Sequence, residues 1–388
     1  MEKVRIGIVG VGGMGSNHAR YLYDGKVEGA ELTAVADISP SALKRAEDMT
    51  DGEVATFSSA DDMFDADCVD AVIIATPHYD HPPIGIRAFE SGLHVLSEKP
   101  AGVYTKQVKK FNEVADQSGK IFAVMFNQRT LPVHKKVKDL METGELGELK
   151  RNAWIITSWY RSQSYYNSGG WRATWAGEGG GVLLNQCPHQ LDLWQWFCGV
   201  PKRVRAFCGF GRYHDIEVED DVTAYVEYED GSTGLFVTST GEAPGTNMFE
   251  AAGDNGRLVM ENGDITFYRN RTPERQFNAE YEGGFGRPEN WECDIPVHGE
   301  GHQHREVTQH WVNAIREDDP DLLVADGREG IKGLEISNAM LMSTWVDDWV
   351  ELPVDEDKYY ELLQERVEVS DYEPGTDEDQ ALDVDGSF

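Results

Sequence analysis

The stretch from Glu178 to Gly199, EGGGVLLNQCPHQLDLWQWFCG, carries the side chains best suited to chemistry. Its three glycines, Gly179 to Gly181, let the backbone pass close to something bulky. From Val182 onward apolar residues recur at helical spacing, which predicts a helix buried on most sides. Asn185, His189 and Asp192 then fall at i, i+4 and i+7 on one stripe of that helix. A titratable imidazole beside an amide, just after a glycine hinge, is what proton transfer requires. The same stretch also suits a core helix with one hydrogen-bonded histidine.

The N-terminus supplies a frame for this site. Val4 to Val11 is a continuous apolar run, as expected of a parallel strand buried on both faces. It leads into Gly10-Val11-Gly12-Gly13-Met14-Gly15 and a helix over Ser16 to Tyr23. Gly10 permits a tight turn, Gly12 a close approach of pyrophosphate, and Gly15 close helix–strand packing. The helix N-terminus offers N–H groups to the phosphates. A second strand, Glu31 to Ala36, ends at Asp37, where an acid accepts hydrogen bonds from the adenosine ribose. Asp37 also repels a 2′-phosphate, and no arginine follows at once, so NAD is expected over NADP. Two more strands, Ala71 to Ala75 and His94 to Ser97, end in Thr76-Pro77-His78 and Glu98-Lys99-Pro100, loops at strand carboxyl ends where open α/β sheets bind ligands. A strand at Ile121 to Phe126 closes the unit. The expected cofactor contacts are Gly10, Gly12, Gly13, Met14, Gly15, Asp37, Ala75, Thr76, Pro77, His81, Glu98, Lys99, Asn127 and Arg172.

Beyond residue 128 the pattern changes. After a helical stretch (Val133 to Thr143), Asn152 to Trp159, Arg203 to Gly209, Thr223 to Tyr228 and Thr233 to Ser239 are alternating or β-branched. Turns such as Glu261-Asn262-Gly263-Asp264 separate strands, and helical patterns return at His304 to Glu317 and Gly327 to Trp349. The fold expected is α/β: a Rossmann parallel sheet over 1–128, then an α/β domain with a large, mainly antiparallel open sheet over 129–368. An acidic, flexible tail is expected over 369–388.

The charge is unusual, with 69 Asp and Glu against 35 Lys and Arg, a net −34 over 388 residues. Such a surface repels nucleic acid and anionic membranes. The acids are spread over the whole chain, which fits a halophilic cytoplasm better than a dedicated basic partner. No apolar run reaches membrane-spanning length and no leader is evident, so a cytoplasmic protein is expected. Five scattered cysteines lack CxxC spacing, which argues against disulfides and structural zinc.

GIVGVGGMG at the start, Glu98-Lys99-Pro100 in the middle and GGGVLLNQCPHQLD in the second half together resemble the Gfo/Idh/MocA oxidoreductases, over about residues 3 to 350. The resemblance implies dimers or tetramers formed through the C-terminal sheet. It places the family's lysine on Lys99, its histidine base on His189, and its aspartate on Asn185, where an amide can only hydrogen-bond and orient. Asp192 is read as structural. The implied reaction has His189 take a proton from a sugar hydroxyl as hydride leaves the same carbon for C4 of NAD, with Lys99 stabilising the alkoxide. Tyr160, Arg161, Tyr165, Tyr166, Trp171, Arg172 and Trp175 form an aromatic group suited to stacking on pyranose faces, or to an aromatic core. Substrate contacts are expected from Lys99, Tyr160, Arg161, Tyr165, Trp171, Asn185, His189 and His302. His298, His302 and His304 could look like a metal cluster, but a pocket-rim role for His302 or His304 is expected instead. The expected substrate is a pyranose, glucoside or anhydrosugar, with oxidation at C3. An inositol dehydrogenase, an NAD-dependent glycosidase that oxidises its sugar transiently, and a non-catalytic NAD and sugar sensor are the alternatives.

Overall fold

The computed structural model describes residues 3–372. Its first part is a six-stranded parallel sheet built from short apolar runs, mostly buried except at the edge strand Ala55–Phe57. The strands are β1 (Val4–Val9), β2 (Ala30–Ala36), β3 (Ala55–Phe57), β4 (Ala71–Ile74), β5 (His94–Ser97) and β6 (Phe122–Val124), in the order β3-β2-β1-β4-β5-β6. Between them run α1 (Gly13–Tyr23), α2 (Pro40–Met49), α3 (Ala60–Asp65), α4 (His81–Glu90) and α5 (Thr105–Ser118). Strand order reverses between β1 and β4. The loops leaving these two strands therefore part, opening a crevice at their carboxyl ends.

The second half begins with α6 (Pro132–Glu142), β7 (Leu149–Ile156), the short α7 (Gln163–Tyr166) and α8 (Pro188–Cys198). Then come β8 (Arg203–Phe210), β9 (Glu219–Glu227), β10 (Thr233–Ser239), β11 (Asn247–Gly253), β12 (Gly256–Glu261), β13 (Asp264–Asn270), α9 (Glu274–Glu280) and β14 (Asn290–Ile295). The chain finishes with α10 (Gln303–Glu317), α11 (Gly330–Val346), β15 (Val350–Glu351) and α12 (Glu356–Val367). Nine strands form one sheet, β14-β13-β12-β11-β7-β10-β9-β8-β15, antiparallel except for the parallel pair β7–β10. One face packs on α8 and α11 through Trp154, Trp194, Phe236, Phe249 and Leu341. The opposite face leaves Phe207 and Tyr225 exposed. Among the described residues no helix is long and apolar enough to cross a membrane.

Helix α10 belongs to the second half by sequence but packs on the first. Val307, Trp311, Val312 and Ala314 join Ile6, Ile8, Val11 and Ala19 in one core. The Tyr21 hydroxyl bonds Thr308 at 2.8 Å, and Gln309 bonds the Glu28 backbone through both amide atoms.

Two expectations need correction. The helix predicted from Val182 starts at Pro188. Residues 181–187 form turns because Glu219 takes their backbone: its carboxylate accepts from Gly181 N and Leu183 N, and its carbonyl from Val182 N. Pro188 lacks an N–H and disfavours helix at Cys187, so it can only open the next helix. Of the acidic tail, Ser370 and Asp371 are attached, both bonded to the Glu217 carboxylate. The remainder, 373–388, lies outside the described residues.

Candidate active site

The glycine loop after β1 shows three different constraints. Gly10 has φ +85°, and a Cβ there would meet the Ala75 carbonyl at 2.7 Å. At Gly15 a Cβ would lie 1.8 Å from the Gly10 carbonyl oxygen. At Gly12 it would meet nothing within 4 Å. Two glycines thus close the loop onto the protein, and the third leaves an exposed backbone cradle. Gly13 and Met14 begin α1, whose first turn has no side-chain cap, so its N–H groups face the cradle. Asp37, at the end of β2, ties the loop with one oxygen on Val11 N (2.7 Å) and the other on Ser39 N (2.8 Å). The loop after β4 adds the buried Thr76 hydroxyl, and the segment after β6 adds the side-chain amide oxygen Oδ1 of Asn127, both without a partner among the described residues. Cradle, uncapped turn and strand-end carboxylate fit a dinucleotide. His81 does not reach that crevice. Its ring nitrogens lie against the carbonyls of Pro100 (2.7 Å) and Thr76 (2.8 Å), so it fastens two loops together.

After β5, buried Glu98 bonds His18 Nε2 at 2.7 Å and accepts from Lys99 N. Burial opposes its ionisation, but the His18 bond and the charges of His18, His304 and Lys99 bring its pKa down to about 2. Lys99 donates from Nζ to the Asn185 carbonyl at 3.0 Å. Burial, with Arg172 and Arg161 nearby, depresses the Lys99 pKa, while Glu98 and Glu178 resist.

His189 lies in the first turn of α8 and is buried, yet neither ring nitrogen has a hydrogen-bond partner among the described residues. Burial first, then the charge of Lys99, holds its pKa well below the ordinary histidine value. The ring is therefore neutral at pH 7, with its lone pair unused. A core histidine held by hydrogen bonds would look different. Asp192, as expected, is structural: it pairs bidentately with buried Arg129 at 2.6 and 2.8 Å, which also meets Glu329.

Asn185 is not on the helix and does not orient His189. It stands in the turn before Pro188, with Nδ2 donating to Glu178 and Oδ1 accepting from the Tyr165 hydroxyl at 3.2 Å. The Tyr165 oxygen accepts in turn from Arg172 (3.0 Å) and Gln186 (3.2 Å). Arg172 lies over the rings of Trp171 and Tyr165, Arg161 over Trp159 and Tyr165, and Trp171 packs edge-on against His78. Tyr160 is exposed. Tyr166 and Trp175 are core residues, the first bonded to Thr240 and the second packed on Phe210 and Trp345. His302 is exposed, so the rim reading passes to buried His304, whose ring faces His18 and Asn127. Among the described residues no cluster of three or more His, Cys, Asp or Glu could hold a metal ion.

The glycine triplet does pass close to bulky neighbours. A Cβ at Gly179 would meet Val103 at 2.2 Å and one at Gly181 the Glu219 carbonyl at 2.0 Å, so the bulky neighbours are the protein itself. Sequence reading missed Glu178, His18 and His78. The one available signal was the acid placed directly before the three glycines.

A dinucleotide cradle together with a neutral buried imidazole beside an ammonium is what an NAD-binding oxidoreductase needs. Residues 4–126 match the model of the oxidoreductase family with an NAD-binding Rossmann fold, and residues 134–259 match the GFO/IDH/MocA C-terminal domain. Together these cover more than half of the chain, which belongs to the Gfo/Idh/MocA oxidoreductase family. The rhizopine catabolism protein MocA of Rhizobium meliloti is 29% identical over 264 residues, 65% of this chain and 78% of that protein. Inositol 2-dehydrogenase of Corynebacterium glutamicum (strain ATCC 13032) is 34% identical over 200 residues, 51% of this chain and 55% of the relative. The match thus spans about half the length of that dehydrogenase. Among solved structures, WlbA dehydrogenase from Chromobacterium violaceum, in complex with NADH and UDP-GlcNAcA, superposes with a TM-score of 0.78 at 28% identity, covering 92% of this chain and 97% of that one.

Proposed function

We propose that this chain oxidises a secondary hydroxyl of a pyranose sugar, glucoside or anhydrosugar, at C3, with NAD as the hydride acceptor. One observation carries the reading: His189 is buried, neutral and without a hydrogen-bond partner among the described residues, beside the Lys99 ammonium. NAD, when bound, supplies a C4 that accepts the hydride. His189 takes the hydroxyl proton on its open nitrogen, and Lys99 steadies the charge growing on the oxygen. Gly12, Gly13 and Met14 hold the pyrophosphate, and Asp37 holds the ribose and disfavours a 2′-phosphate. Tyr165, Trp171, Arg161 and Arg172 face the sugar ring. An inositol is the second reading, favoured by the 34% match to inositol 2-dehydrogenase. The exposed Phe207 and Tyr225 on the open sheet face suit a homodimer or homotetramer, and the protein is proposed to work in the cytoplasm.

The test is a panel of pyranoses, glucosides, anhydrosugars and inositols with NAD in high salt, following NADH absorbance. NADH should accumulate with at least one cyclic polyol. A protein that binds NADH but forms none with any of them refutes the reading; aglycone release without NADH indicates the glycosidase.

A further inference from the structure

Glu178 is 2% exposed and sits at the entrance to the glycine triplet. Both of its oxygens accept N–H groups, Oε2 from Ala173 N at 2.7 Å and Oε1 from Asn185 Nδ2. Two N–H donors, one on each oxygen, suit the ionised carboxylate, which only accepts. Its backbone is tied by its N–H donating to the Thr174 carbonyl at 3.0 Å, and the next residue, Gly179, runs so close to Val103 that a Cβ would meet it at 2.2 Å.

We propose that Glu178 is the positioning residue of the active site: its buried carboxylate holds the Asn185 amide in a single orientation and thereby sets Tyr165, Arg172 and Lys99. The chain of donors runs one way. The carboxylate can only accept, so the amide must present its NH₂ to Glu178 and its oxygen to Tyr165. Tyr165 therefore donates to Asn185, leaving its oxygen to accept from Arg172 and Gln186. The Asn185 backbone carbonyl, fixed by the same anchor, accepts from Lys99. The carboxylate of this pair thus stands at position 178, one hydrogen bond from the amide at position 185.

The anchor also supplies charge. Lys99 is flanked by Arg161 and Arg172 from the segment before Glu178, and by Glu98 from its own loop. His189 of α8, His78 of the loop after β4 and His304 of α10 feel the same ammonium, as does Cys187. Burial raises the Glu178 pKa above the ordinary carboxylate value, with Arg172, the Ala173 and Asn185 hydrogen bonds and Lys99 opposing, and Glu178 acts in turn on Tyr166 and Glu219. Removing its charge leaves three cations answered by Glu98 alone, so Lys99 would lose its proton at lower pH.

This inference rests on the dehydrogenase reading, and the experiment separates the two. Glu178→Gln, Asn185→Asp and the exchanged double variant are compared with the wild type, by kcat against pH and by melting temperature without substrate. Glu178→Gln should lower kcat by about 10²-fold, as a small misplacement of reacting groups does, and move the basic limb to lower pH. Asn185→Asp sets two carboxylates against each other and should also lose activity and melt earlier. The double variant restores one amide and one carboxylate to the pair, and should recover kcat to within about 10-fold of wild type, as coupled sites do. Should Glu178→Gln fail to fold, recovery in the double variant still reports the pairing. A wild-type basic limb in Glu178→Gln, or a double variant no better than its worse parent in both measurements, overturns the proposal. If the wild type makes no NADH from any sugar, the dehydrogenase reading fails instead, and melting temperatures alone still decide whether positions 178 and 185 exchange roles.

Discussion

Substituting alanine at each glycine of the N-terminal loop separates what the fold needs from what the cofactor needs. At Gly15 the added methyl would lie 1.8 Å from the Gly10 oxygen, so α1 must move off β1, at about 3 kcal/mol or more for a clash no rotamer can relieve. At Gly10 the left-handed φ of +85° costs about 1–2 kcal/mol, before its 2.7 Å contact with the Ala75 carbonyl is counted. At Gly12 the methyl enters open space at a negative φ, so stability should change by no more than about 0.5 kcal/mol. That open space is where a pyrophosphate would meet the backbone, and Gly12→Ala should weaken NADH by about 10–100-fold, roughly 1.4–2.8 kcal/mol. The assay pairs denaturant melts with NADH fluorescence titration. A Gly12→Ala protein that melts early, or one that binds NADH as the wild type does, refutes the division of labour. So would a fully stable Gly15→Ala.

His189→Ala and Lys99→Ala should each lower kcat by about 10²–10⁴-fold while NADH binding persists. In the wild type both limbs of the pH–rate profile should lie below the free-residue values, because burial depresses the pKa of His189 and Lys99 alike; stopped-flow NADH formation across pH checks this. The rate should fall in acid only once His189 is protonated, well below the usual histidine range, and fall in base as Lys99 loses its proton. Asp37→Arg should shift preference toward NADP, read as the ratio of kcat/KM for the two cofactors; a wild type already better with NADP contradicts the assignment. Asp192→Ala leaves Arg129 charged and buried, which should cost about 3–5 kcal/mol in urea melts. With a net charge of −34, the melting temperature should climb steeply from low salt to molar KCl as repulsion is screened, and a flat response would point to a basic partner.

Most of the scaffold was legible because it is written locally. His94–Ser97 is a strand at the residues expected, since its apolar run ends sharply at Glu98. The glycine loop follows from steric rules that act over a few residues. The active site was legible only in part. Lys99 and His189 lie near each other, but Asn185, expected on a helix, stands in a turn, because Val182, Leu183 and Leu184 continue the apolar period through a turn that is itself buried. What breaks that helix is Glu219, more than thirty residues ahead, and no local pattern announces it. Glu178 was passed over for the same reason, since its importance comes from Asn185, Arg172 and Lys99 meeting it in space. Tyr166 and Trp175 look like sugar-stacking residues by composition; only their packing shows them to be core. His302 and His304 are two residues apart, and which of them turns inward depended on where α10 begins.

The return of α10 to the first half makes the two halves a single thermodynamic body. A gene fragment ending after β6 would encode every glycine of the loop after β1, yet would leave the wall beneath Ile6, Val11 and Ala19 bare where Trp311 and Val312 belong. Such a piece could not be traded between proteins as an independent module. Because α10 joins both parts, a ligand that tightens the nucleotide crevice should also raise the melting point of the nine-stranded sheet.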